Sequence, residues 1–274
     1  MKIIYFGTDV FLPCFKYLAD EHEILKLYTY HADEDYFTEY AIVKEAAKRG
    51  IPVSYEKPGE QMVRDMFQKD NCDLLFLAEY AYILPIPDDV ENFRGVNLHS
   101  SLLPQGRGYY PIECAMERGE AASGLTMHVL AQRFDTGGII YQSALPIKPE
   151  TDSVDIYLYN SASALEMTKR LMANLETDYA AAAPMAEITQ AWPCPAEVKR
   201  ILTHNMTISE CFDVFRSYNS MTEIVIGERA YHIQSMMPGT APILQEIIFT
   251  GKNTCLFALA DGHLRLVLIE EEEQ

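Results

Sequence analysis

Short apolar runs alternate with amphipathic stretches through the first 150 residues. Ile3-Ile4-Tyr5-Phe6 and the segments 23–30 (EILKLYTY), 51–53 (IPV), 73–78 (DLLFLA) and 95–99 (GVNLH) have the length and side chains of strands. The first of these and residues 73–78 are apolar at consecutive positions, as in strands covered on both faces. Between them, residues 10–20, 40–49 and 60–69 carry apolar side chains at helical spacing, and Gly50 stops the second. Residues 113–118 predict a helix that starts after Pro111 and ends at Gly119. Residues 125–130 and 139–144 predict two further strands, and 154–179 one long helix. This alternation predicts an α/β fold, a mostly parallel sheet with helices on both faces.

The texture changes near residues 186–195, where Pro184 and the string WPCP (192–195) mark a linker. Beyond a short helix at 209–218 come five strand-like runs, 223–226, 230–235, 243–250, 254–259 and 264–269, separated by glycine-containing turns. We therefore expect two domains, 1–188 and a small β-rich one of barrel or sandwich type at 189–274. The length of 274 residues and 49% apolar content suit a folded chain of this size. Acidic residues number 40 against 22 Lys and Arg, a net charge of -18, which disfavours a nucleic acid as partner without excluding tRNA. The six cysteines form no CxxC pair or zinc-type cluster, so no metal is expected. The opening MKIIYFG is too short for a signal peptide and no 18-residue apolar run occurs, so the expectation is a cytoplasmic protein with reduced thiols.

The densest chemistry lies in residues 97–111, NLHSSLLPQGRGYYP. Asn97 and His99 are two apart at a strand end, so their side chains share one face. Ligands of open parallel sheets bind outside the carboxyl ends of the strands, although such a pair serves equally well to hold loop backbone. Asp135-Thr136-Gly137-Gly138 follows a strand, and alone it also reads as a turn whose Asp bonds its own backbone. Thr126 and His128 share one face of their strand, and His128 reads as packing. Arg107 reads as a phosphate or carboxylate ligand or as a loop salt bridge. Trp192 reads as linker packing or as a stacking surface for a base.

Taken in order, NxHxSLLPxxRGxxP, GxTxH and DTG resemble the formyltransferase family that uses 10-formyltetrahydrofolate. Phe6-Gly7-Thr8, residues 50–53 and residues 73–85 match as well, and the resemblance covers about residues 1–180. It implies a Rossmann-like catalytic domain and, more weakly, an open-barrel-like C-terminal domain. It implies that Asn97 donates to the formyl oxygen, that His99 lies beside the attacking amine, and that Asp135 orients the imidazole and a water. It places the folate against Ala81, Tyr82, Ile83 and Leu84 and against Gln132, Arg133 and Phe134, largely through main-chain groups. It puts Gly7, Thr8, Thr126, Arg107 and Tyr109 on the acceptor side, and requires no metal or covalent intermediate.

The acceptor is read by difference. Glycinamide-ribotide enzymes carry a Gly-rich phosphate loop after the first strand, whereas here a single Gly7 is followed by Asp9. Methionyl-tRNA formyltransferases carry a basic loop after the second strand, whereas here residues 31–36 read HADEDY. Residues 190–274 hold six Lys or Arg and eleven Asp or Glu, a poor surface for an RNA backbone. The remaining group formylates a nucleotide-linked amino sugar, and this small amine is the favoured acceptor. The alternatives are methionyl-tRNA, a formyltetrahydrofolate hydrolase and a non-catalytic nucleotide-binding relative. A homodimer stays open.

Overall fold

The computed structural model describes residues 1–31, 40–186, 200–239, 243 and 245–269. The linker expected at 186–195, Trp192, Cys194, the boundary at 188/189 and most of the acidic loop 31–36 lie outside the described residues. The chain divides into two compact units, the first from residues 1–111, 121–146 and 156–186, the second from 112–120, 147–155 and 200–269.

The first unit contains strands β1 (Lys2–Gly7), β2 (Glu23–Tyr28), β3 (Val53–Ser54), β4 (Leu74–Ala78), β5 (Gly95–His99), β6 (Ala122–Val129) and β7 (Ile139–Pro146). Their order is β3-β2-β1-β4-β5-β6-β7. The first five are parallel, β6 runs antiparallel to both its neighbours, and β7 again has the direction of the first five. Helices α1 (Leu12–Glu21), α2 (Ala41–Lys48), α3 (Glu60–Gln68), α4 (Pro111–Glu117), α5 (Ser153–Ala173) and α6 (Leu175–Ala180) connect or follow them. The long helix expected at 154–179 is thus two helices, α6 taking Asn174 as its N-cap.

The consecutive apolar runs have a direct cause. Ile3, Tyr5, Leu74, Phe76 and Ala78 face one core with Phe15 and Leu18 of α1, Ile42 and Ala46 of α2, and Ala164 and Leu171 of α5. Ile4, Phe6, Leu75 and Leu77 face the opposite core with Val63 and Met66 of α3. Both faces of β1 and β4 are therefore dry, and burial of each such side chain contributes about 1.5–3 kcal/mol. Asp9 caps α2, which has no side-chain cap of its own: its carboxylate accepts from the N–H groups of Ala41 and Ile42, both at 2.8 Å.

In the second unit β8 (Ile201–Leu202), β9 (Glu223–Ile226), β10 (Arg229–Gly239), β11 (Ile247–Phe249), β12 (Thr254–Leu259) and β13 (Gly262–Ile269) form an open, barrel-like sheet ordered β11-β12-β13-β10-β9-β8. Helix α7 (Ile208–Tyr218) begins at a capping box, Thr207 and Glu210 bonding each other's backbone N–H, worth about 1 kcal/mol. Cys211 of α7 joins Ile224, Ile233, Phe257 and Leu264 in this unit's core. The two-residue β8 carries no sequence pattern; Leu202 is buried and Ile201 exposed. Arg216 Nη1 donates to the carbonyls of Lys148, Pro149 and Thr151 at 3.0–3.3 Å, which ties the 147–155 loop to α7.

Among the described residues, five cysteines are buried and free. No described helix is long and apolar enough to cross a membrane.

Candidate active site

Strand β5 ends between parallel β4 and antiparallel β6, where the direction of the sheet changes. The register sets Asn97 opposite His128 and His99 opposite Thr126. Cross-strand partners are neighbours on one face, and the Asn97 amide nitrogen lies 3.1 Å from His128 Nε2. His128 Nδ1 lies 2.9 Å from the Val129 carbonyl, to which its N–H donates. In the neutral ring Nε2 is then an acceptor for one Asn97 N–H. The amide is aimed by this bond, and its second N–H remains for a ligand. His128, which reads as packing in the sequence, thus stands beside Asn97 in the candidate site. The signal lies in the strand pairing, since an antiparallel β6 puts His128 directly across from Asn97.

His99 is held in the complementary way. Its Nε2 lies 2.7 Å from the Gly106 carbonyl, so Nε2–H donates there and the neutral ring keeps its lone pair on Nδ1. Nδ1 faces Asp135 Oδ2 at 3.8 Å. This is beyond a direct hydrogen bond, and either a proton taken up on Nδ1 or a polar atom between the groups completes the contact. Asp135 Oδ1 lies 3.5 Å from His128 Nε2, and the Gly108 N–H donates to Oδ2 at 3.3 Å. One buried carboxylate therefore faces both imidazoles.

Burial pushes the Asp135 carboxyl up. With the imidazoles protonated, the charge of His99, the hydrogen bond and charge of His128, and the Gly108 N–H outweigh it and hold the group below its usual value. The ionised form is thus favoured by folding. Its contribution to stability is complete above the unfolded carboxyl value of about 3.9 and is lost as pH falls through the lower folded value. In thermal melts from pH 7 to pH 2, the stability of the wild type relative to Asp135→Asn is expected to hold down to about pH 4 and then decline. A difference that grows on acidification contradicts this balance.

Two cavities meet at Asn97 and Asp135. One is bounded by Leu77, Ile83, Leu84, Ile86 and Leu130 together with Tyr82, Phe134 and His128. The other, about 230 Å³, contains His99, Glu79, Ala81 and the tyrosines 30, 80, 109, 110 and 157. Among the described residues, six non-glycine residues have positive φ. Three are asparagines, for which the left-handed region is ordinary. The other three, Glu79 (φ 53°), Tyr110 (φ 50°) and Asp135 (φ 50°), all line this second cavity. Backbone strain of this kind persists where surrounding structure over-determines it, as around binding sites.

The other residues singled out in the sequence fall into two groups. Tyr82, Ile83, Leu84 and Phe134 line the first cavity, and Ala81 and Tyr109 the second, where the Tyr109 hydroxyl donates to the Ala81 carbonyl at 3.1 Å. Thr8 hydrogen-bonds Tyr30 and so supports the second cavity from behind. Gln132, Arg133, Thr126, Arg107 and Gly7 line neither. Gln132 bonds Asp88, and the Arg133 carbonyl accepts from Thr136. Thr126 is fully buried, donates to the Ser101 carbonyl at 2.6 Å and accepts from the Leu103 N–H at 3.1 Å. It holds the 100–111 loop rather than facing a ligand. Arg107 has Met185 Sδ 2.9 Å from Nη2, in place of a loop salt bridge. Gly7 is required by packing, since a Cβ there meets the Ala78 carbonyl oxygen at 2.6 Å.

The methionyl-tRNA formyltransferase of Anaplasma marginale is 30% identical over 185 residues, 65% of this chain and 62% of that protein. The chain thus spans about three fifths of that relative's length. A Helicobacter canadensis N-formyltransferase solved with folinic acid and dTDP-3-aminofucose superposes with a TM-score of 0.64 at 16% identity, covering 97% of this chain and 98% of that one. HypX from Aquifex aeolicus in complex with tetrahydrofolic acid gives 0.70 at 14% identity, covering 97% and 43%. At these identities the two structures speak for the fold. The family model described as formyl transferase matches residues 31–172, just over half the chain, and that segment contains Asn97, His99, His128 and Asp135. The chain belongs to the formyl transferase family.

Proposed function

We propose that the protein transfers a formyl group from 10-formyltetrahydrofolate to a primary amine, and that the amine is carried by a nucleotide-linked amino sugar. The observation that carries the reading is the meeting of two cavities at one amide and one buried carboxylate, with an imidazole on each side. The cavity with the apolar wall and the polar end at Asn97, His128 and Asp135 is narrow, about 40 Å³, and its lining matches one edge of a flat heterocycle with polar edges. The folate supplies the formyl carbon there. In the second cavity His99 Nδ1 is placed to take the proton that leaves the attacking nitrogen, and Asp135 stabilises the imidazolium so formed. The free Asn97 N–H donates to the formyl oxygen as it gains negative charge. One such donor is worth a factor of about 10²–10³ in rate.

The preference for a small acceptor rests on charge. The net charge of -18 and the acidic C-terminal region oppose a polyanion. Methionyl-tRNA is the second reading, favoured by the relative that acts under that name at 30% identity. A formyl-transfer assay that follows tetrahydrofolate release decides between them. Its acceptors are dTDP-, UDP- and GDP-linked 3- and 4-amino sugars, initiator methionyl-tRNA and a control without acceptor. Turnover is expected with a nucleotide sugar and not with tRNA. Turnover with tRNA alone overturns the charge argument, and turnover without any acceptor makes the protein a formyltetrahydrofolate hydrolase.

A further inference from the structure

We infer that Glu79 selects the acceptor. It binds the amine in its ammonium form, and restricts the second cavity to amines whose neighbouring groups are neutral hydroxyls rather than phosphates or carboxylates. The inference rests on the formyl-transfer reading and names the acceptor class for that cavity.

Glu79 follows directly on β4, its N–H donates to the Leu98 carbonyl at 3.4 Å, and its left-handed φ turns the chain at the carboxyl edge of the sheet. It lines the same cavity as Asn97, His99 and Asp135. The remaining polar lining consists mainly of five tyrosines, and no Lys or Arg among the described residues lines the cavity. Burial, then Tyr40 and Glu79, push the Tyr30 phenol up, so that it stays protonated and serves as a neutral hydroxyl. A cavity walled by five phenol rings and two carboxylates has apolar ring faces for sugar carbons and carboxylate acceptors for sugar hydroxyls. Among the described residues its lining offers no Lys or Arg to compensate an anion, and like charges placed beside Glu79 and Asp135 are repelled.

The chemistry gives the carboxylate a second consequence. The bound ammonium loses one proton to solvent to become the neutral nucleophile. The nitrogen then loses another during transfer, and that proton ends on N10 of the folate, in balance with the C–N bond broken there. The product formamide is uncharged, so the ion pair that held the substrate does not hold the product. Any phosphate of a nucleotide-linked substrate has to lie beyond the tyrosines, at least a sugar ring away from the reacting amine.

The test uses the full chain as wild type, Glu79→Gln and Glu79→Asn. Gln keeps the size of the side chain, and Asn suits the left-handed backbone. Calorimetric titration with 5-formyltetrahydrofolate reports whether the donor site is intact in each. The acceptors are dTDP-linked 3- and 4-amino hexoses, glucosamine, glucosamine 1-phosphate and glycine. The carboxylate meets a positive nitrogen both in the bound ammonium and as the new C–N bond forms, and loss of such uniform binding raises KM while leaving kcat. We expect KM for the accepted amino sugar to rise about ten- to hundredfold in both variants, with kcat nearly constant. We also expect the wild type to refuse glycine and glucosamine 1-phosphate. Unchanged KM in the variants, a fall in kcat alone, or a wild-type preference for glycine or glucosamine 1-phosphate overturns the role of Glu79 and leaves formyl transfer standing. Silence of the wild type with every amine overturns both.

Discussion

Asp135→Asn is expected to lower kcat for formyl transfer by about 10⁴-fold with little change in KM, the scale on which removal of the carboxylate beside a catalytic imidazole acts. The reason is geometric. Oδ2 is the group that His99 Nδ1 faces at 3.8 Å, and Oδ1 faces His128 Nε2 at 3.5 Å. With an amide in its place, an imidazolium formed at His99 loses its counter-charge, and the base that accepts the amine proton weakens. A new N–H directed at either ring also competes for the lone pairs on which the tautomers depend. His99 then no longer offers Nδ1 freely, and His128 no longer accepts cleanly from Asn97. The variant is expected to fold, because asparagine adopts the φ of 50° found at this position more readily than most residues. Single-turnover measurements with saturating folate separate the chemical step from binding. A loss smaller than tenfold removes Asp135 from the proton path, and a rise in KM with kcat intact reassigns it to acceptor binding.

Gly137→Ala is expected to be the most damaging small substitution in the first unit. A Cβ at this position falls 1.8 Å from the Val129 carbonyl oxygen and 2.7 Å from its carbon, both backbone atoms that cannot turn aside. The close approach exists because Val129 N–H donates to the Gly138 carbonyl at 2.9 Å, which closes the connection between β6 and β7 over the Asp135 turn. Adding one methyl group therefore separates two strands. The expected cost is about 3 kcal/mol or more, from combined overpacking and the lost backbone bond. Denaturant unfolding of the variant, followed by far-UV circular dichroism, reads it directly. A loss under about 1 kcal/mol shows that the turn yields, and that the glycine of the DTG motif serves something other than packing. The variant also links the motif to catalysis, because any shift of this turn moves Asp135 away from both imidazoles.

These two residues show how much of the site could be read from the chain. Asp135 and Gly137 were visible as parts of a motif, but the motif alone reads equally as an ordinary turn. Asn97 and His99 could be put on one face of a strand end from their spacing of two, a local property. His128 could not be put beside them, because which strand pairs with β5, and in which direction, is settled by tertiary packing. Thr126 shows the converse. It shares its face with His128, yet its hydroxyl is consumed by the 100–111 loop, since a buried hydroxyl beside free backbone groups bonds to them first.

The same division holds for the fold. Residues 1–86 carry their architecture in the order of the chain, because strands covered on both faces must be apolar at every position and amphipathic helices must recur between them. The two-domain expectation and the capping box of α7 are likewise local in origin, resting on a change of hydrophobic period and on Thr207 and Glu210. The reversal of β6 and the meeting of two cavities at one amide and one carboxylate depend on contacts between residues far apart in sequence. So does the placement of Glu79 in the second cavity: a glutamate after an apolar run reads as a solvated end, and only the turn of the backbone there brings it beside Asn97 and His99. Periodicity and turn chemistry are properties of neighbouring residues and are written along the chain. Strand order, register and the side chains that share a cavity are set by which surfaces exclude water together.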